Sequence, residues 1–194
     1  MSRAALRTAV ALTSSAVVLL AGCSATGPAA PPSAAGQADG QADGPHLRAE
    51  GVAFDPVAHD VDPDAECEGR GGREALAVLD RAAWPELGVP AGDAVMRCGN
   101  ADGAGWRHIA DGHTGDFGEL AELVGAEWED VAWFAIDRAL EQPTQVEEYR
   151  EDILNYDVLV EHVDGGETTR SWMVTVGVGL GSGQVITAFP DEQR

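Results

Sequence analysis

Residues 155–178, NYDVLVEHVDGGETTRSWMVTVGV, decide the fold class. Tyr156, Val158, Val160 and His162 recur at every second position, as do Arg170, Trp172, Val174, Val176 and Val178. A period of two places each set on one face of a strand. Asp164-Gly165-Gly166 between them supplies turn chemistry, so the segment reads as an antiparallel hairpin. After Gly181-Ser182-Gly183, a last strand runs from Gln184 to Phe189 and stops at Pro190.

Upstream the period changes. Trp128, Val131, Ala132, Ala135, Ile136 and Ala139 follow helical spacing to Gln142-Pro143. Asp116 with Glu119 three residues later has the form of a capping box opening a helix to Leu123. Trp106 to Asp111 reads as one or two helical turns stopped at Gly112, and Gly72 to Trp84 as a short helix ended by Pro85. Ala94-Val95-Met96 reads as a short strand, and Glu147, Glu148, Glu151 and Asp152 as a solvated helical face. The expected class is α+β, with N-terminal helices packed on a C-terminal antiparallel β-meander.

Residues 1–22 combine Arg3 and Arg7 with an apolar run from Val10 to Leu20, too short to span a bilayer. The run closes on Leu20-Ala21-Gly22-Cys23, which resembles the lipobox of bacterial lipoproteins. That resemblance implies a signal peptide over 1–22, diacylglycerol on Cys23, and an extracytoplasmic chain held to the cell membrane by its lipid. Residues 23–45 then form the lipidated cysteine and a flexible linker, rich in Ala, Gly and Pro with GQADG repeated at 36–44. Residues 46–194 are long enough for a single α+β domain with a sizeable core.

Cys67 and Cys98 are the other two cysteines. In an exported domain they read as a disulfide closing a loop of about 30 residues, contributing roughly 3–4 kcal/mol. The competing reading, a metal or catalytic thiol, lacks CxxC spacing. The chain has no lysine and carries 33 acids against 12 arginines, a formal −21. Removing Arg3, Arg7, Asp39 and Asp43 leaves 31 acids and 10 arginines in the domain. Such a surface repels nucleic acid and anionic headgroups over a Debye length.

Two segments carry candidate chemistry, Gly105-Trp106-Arg107-His108-Ile109-Ala110-Asp111-Gly112-His113 and Gly183-Gln184-Val185-Ile186-Thr187-Ala188-Phe189-Pro190. Together, over residues 105–190, they resemble the toxin-type RNases of the barnase, EndoU and colicin-E5-like group. The resemblance implies metal-independent RNA cleavage, with no cofactor. It makes His113 the base or acid, His108 the second candidate, Thr187 a hydroxyl donor to phosphate and Arg107 the nearest cation. Such cleavage needs a base for the 2′-hydroxyl, an acid for the leaving oxygen and donors around phosphorus. Phe189 departs from the pattern, since many relatives carry tyrosine there.

Spacing separates the histidines: five residues apart on a helix, they point about 140° from each other. Arg170 on the apolar face of its strand is either a phosphate ligand or half of an ion pair. Asp60, Asp62 and Asp64 have calcium-loop spacing, but Pro63 and Ala65 break the pattern. RNA is a partner only under the nuclease reading. The alternatives are a non-catalytic surface lipoprotein binding a protein or other ligand, and a small structural lipoprotein.

Overall fold

A computed structural model describes residues 44–58 and 62–193. The signal, Cys23, most of the linker and Asp60 lie outside the described residues. The order is β1 (His46–Ala49), β2 (Val52–Ala53), α1 (Pro63–Cys67), β3 (Ala75–Arg81), β4 (Gly92–Arg97), α2 (Trp106–Val124), α3 (Trp128–Glu141), β5 (Gln145–Arg150), β6 (Ile153–Asp164), β7 (Glu167–Gly179) and β8 (Val185–Glu192). The main sheet is antiparallel in the order β2-β1-β6-β7-β8, with β5 also paired to β6; β3 and β4 form a separate ribbon.

Expected N-terminal helices packed on a C-terminal meander give way to a different layout. Four strands precede α2, and both long helices lie mid-chain, between those strands and the meander. The segment Gly72 to Trp84 contains β3, paired with β4 from Ala75↔Arg97 to Arg81↔Gly92. Its alanines and leucines favour helix locally, but pairing overrides propensity. A register shift between Ala75 and Ala77 also breaks its alternation, which hides the strand in the sequence. Glu147 and Glu148 lie on β5, an outer strand whose single buried residue is Val146, rather than on a helix.

The hairpin forms where the alternation places it. Tyr156 pairs with Val176, Val158 with Val174 and Val160 with Trp172, and all six are buried. Fully burying a side chain of this size contributes about 1.5–3 kcal/mol, so this layer is the main apolar anchor. β1 adds Leu47 and Ala49, both fully buried, against the far half of β6.

The helical layer is centred on Trp106. Its ring is fully buried, stacks on Trp128 at 5.2 Å and meets Trp133 edge-on at 5.8 Å. Its Nε1–H donates to Asp64 Oδ1 at 2.7 Å, satisfying the one polar atom of a buried indole. Asp62 caps α1 by accepting from the Ala65 N–H, with Pro63 at the first helical position. Both aspartates of the calcium-like spacing that are described thus hold local structure.

Cys67 and Cys98 form a disulfide, with Cα atoms 5.4 Å apart. It ties α1 to the end of β4. Gly99 follows at φ +65°, and a Cβ there would sit 1.7 Å from the Ala104 carbonyl oxygen, so only glycine fits.

Candidate functional site

α2 does not stop at Gly112. It runs unbroken from Trp106 to Val124 through Gly112, Gly115 and Gly118. Each such glycine costs about 1 kcal/mol relative to alanine in a helix interior, so packing must hold this one. Trp106, Ile109, Phe117, Leu120 and Ala121 supply the buried stripe. Asp116 therefore opens no second helix; its carboxylate turns back one turn instead.

That turn sets an imidazole–carboxylate pair on α2. His113 Nδ1 lies 2.9 Å from Asp116 Oδ2, and the imidazole is only 23% exposed. His108 Nδ1 lies 2.8 Å from the Ala101 carbonyl oxygen. A carbonyl only accepts, so Nδ1 of His108 carries the proton; the carboxylate favours the same tautomer in His113. In both rings Nε2 is then the basic nitrogen. The rings also approach each other, with centroids 6.1 Å apart and planes nearly perpendicular. Side-chain torsions overcome the angular separation expected from backbone spacing alone, because α2 side chains lean along the helix toward neighbouring turns.

β8 reaches this pair through Phe189. Its ring centroid is 5.4 Å from that of His113 at 31°. Thr187 makes a different contact. It pairs with Gly177, which pairs with Asn155, and its methyl lies beside the bare Cα of Gly177 with the Asn155 amide. Residues 155, 177 and 187 alternate with the buried Tyr156, Val176 and Ala188. Phe189 shares the face of Thr187 by the same period, so the neighbours of Thr187, not its face, distinguish it from Phe189. Arg107 is turned to the backbone: its guanidinium donates to the carbonyls of Gly99 at 3.1 Å, Arg70 at 2.9 Å and Cys67. Those bonds lock the disulfide loop onto α2.

Arg170 is paired. Its Nε donates to Glu192 at 2.8 Å, Glu119 lies 3.8 Å away, and the guanidinium covers the Trp172 ring at 4.6 Å. His162 is a packed histidine whose Nδ1 meets Thr169 Oγ1 at 2.6 Å. Among the described residues no group of three or more His, Cys, Asp or Glu is placed to hold a metal ion.

One cleft escaped the sequence reading. It has a volume of about 480 Å³ and is lined by Gly72, Arg73, Arg97, Gly99, Asn100, Ala104 and Gln184. It lies where the two signature segments join: the Gly105 N–H donates to the Ile186 carbonyl, and the Val95 N–H to the Gly183 carbonyl. Its residues come from four separate stretches with no shared motif. The only sequence signal was the scarcity of cations, which makes any pair of arginines conspicuous. Compared with family models, characterised proteins and solved structures, the chain matches none of them, so its function rests on the chemistry of its own side chains.

Proposed function

We propose that this chain is a lipid-anchored, extracytoplasmic bacterial lipoprotein whose domain binds a ligand without cleaving it. The anchoring half rests on the Leu20-Ala21-Gly22-Cys23 segment. Among the described residues no helix is long and apolar enough to cross a membrane. Replacing Cys23 with serine should move the protein from the membrane fraction to the soluble fraction and abolish labelling by fatty acid. Retention in the membrane with full labelling would refute the anchor.

The non-catalytic half is carried by the contact between His113 and Phe189. The strand presents to the imidazole an apolar ring with no hydroxyl, while Thr187 packs by Gly177 and Arg107 spends its donors on backbone carbonyls. Transition-state charge on phosphorus would lack converging donors at that point. The formal −21 adds long-range repulsion of RNA.

The His113–Asp116 pair supports a second reading, metal-independent RNA cleavage, because a carboxylate that orients an imidazole is the usual partner of a general base. Incubating RNA with the purified full chain separates the two. We expect no cleavage by the wild type, His113→Ala or Thr187→Ala. Products ending in 2′,3′-cyclic phosphate, made by the wild type and lost in both variants, would establish the RNase instead.

A further inference from the structure

Electrostatics single out the cleft beside Gly99. Four of the described arginines, Arg48, Arg70, Arg138 and Arg170, are matched by carboxylates within ion-pairing distance. Arg73 and Arg97 are not so matched among the described residues. The acid next in sequence, Glu74, turns its carboxylate to the Gly71 N–H at 3.3 Å. Two other clefts of similar size carry their own acids, Asp80 with Glu141 in one and Asp64 with Glu68 in the other. The Arg73–Arg97 cleft has none in its lining. On a chain with 33 acids and 12 arginines, that is a local reversal of sign.

The lining is chemically uniform as well. Arg73, Arg97, Asn100 and Gln184 all offer N–H donors, and the guanidinium forks match the geometry of carboxylate and phosphate oxygens. The Arg97 guanidinium donates to the Arg73 carbonyl, which fixes it beside the second arginine before any ligand arrives. The floor is backbone. The Gly99 N–H donates to the Gly72 carbonyl at 2.9 Å, and a Cβ on Gly72 would lie 2.7 Å from the Gly99 oxygen. Side chains are thus excluded from the base, leaving space for a small group.

We propose that the Arg73–Arg97 cleft binds a small soluble oxyanion, a ligand carrying a carboxylate or phosphate group. This rests on the non-catalytic binding reading above and names the ligand class for it. A soluble ligand fits better than a headgroup, because the surrounding acidic surface repels an anionic bilayer while a small ion can enter the cleft.

The test is a titration of the full chain, in detergent at constant ionic strength, with inorganic phosphate and with citrate. The side-chain amide resonances of Asn100 and Gln184 report binding. Saturable shifts of those resonances are expected. Arg73→Gln should weaken binding by roughly tenfold or more, the loss typical of one charge-assisted hydrogen bond, and Arg97→Gln should do likewise. Arg150→Gln, which removes the same charge from a guanidinium stacked on Tyr149, should bind as the wild type.

Arg73 makes no hydrogen bond through its side chain among the described residues, so its variant tests the site without disturbing the fold. Absence of saturable shifts would overturn the assignment, as would equal weakening by Arg150→Gln or wild-type binding by Arg73→Gln. RNA cleavage would instead remove the underlying binding reading, whatever the titration gives.

Discussion

The meander and the disulfide region are held together by different physics. β6 to β8 rest on apolar layers, Tyr156 on Val176 and Val160 on Trp172, repeated along the unbroken β6–β7 register from Ile153↔Gly179 to His162↔Arg170. Residues 63–107 lend Ala94, Met96 and Trp106 to the buried core, but their loops are tied by point fasteners: the Cys67–Cys98 bond, the three carbonyls gripped by Arg107, the Trp106–Asp64 hydrogen bond and a backbone crossing that only glycine permits at Gly99. The first kind of stability is distributed and the second concentrated. A distributed core tolerates small losses anywhere, whereas a fastened loop fails at one of a few places.

The largest expected effect tests the distributed half. Trp172→Ala removes a buried indole that is 2% exposed and should destabilise the domain by about 3–5 kcal/mol in denaturant unfolding. A loss below about 1 kcal/mol would mean that the layer is not the anchor described here.

The disulfide tests the fastened half. Its reduction, or Cys67→Ser with Cys98→Ser, should cost about 3–4 kcal/mol. Hydrogen exchange should then rise first in residues 63–107 and leave β6 to β8 protected. Equal loss of protection in both regions would erase the contrast.

A smaller effect is expected on α2, which joins the two regions. Gly112→Ala meets no atom within 4 Å and should stabilise by about 0.5–1 kcal/mol, visible as a raised Tm. A lowered Tm would show that the helix requires glycine there.

The smallest effect depends on pH. Burial holds the Glu129 carboxyl above its ordinary range, helped by Asp64, Glu127 and Asp130 and opposed by a backbone hydrogen bond. A raised folded-state value means that protonation favours folding and that this stability is lost as pH rises through it. Glu129→Gln should therefore be slightly more stable than the wild type at neutral pH. The gain should vanish below about pH 4, where both side chains are uncharged. A gain that persists in acid would point to packing instead.

The same contrast explains what the sequence reveals. Alternation of Tyr156, Val158 and Val160 is a direct trace of a layer buried on one face, so the hairpin is legible. α3 is legible for the same reason, through Val131, Ala135 and Ile136. β3 is not, because its register shift and its alanines blur the period. β5 is not, because an outer strand with one buried side chain has almost no pattern to read.

At the candidate site, Cys67 and Cys98 were legible as a pair, while the work of Arg107 was not. Its three acceptors are carbonyls, which every residue possesses, so nothing in the sequence marks them. Arg73 and Arg97 stand 24 positions apart and meet only because β3 and β4 pair, a pairing the misread helix had hidden.

β1 gives the molecule a mechanical character. Any chain preceding residue 44 joins the domain here, at a strand whose Leu47 and Ala49 are fully buried and whose four residues all pair with β6. Tension along that strand loads the pairs at His46, Leu47, Arg48 and Ala49 together, in shear, instead of opening them one at a time. The Arg48–Glu161 bridge at 2.8 Å lies across the same line of load. A domain pulled from this end should yield abruptly at a single force peak rather than fraying gradually.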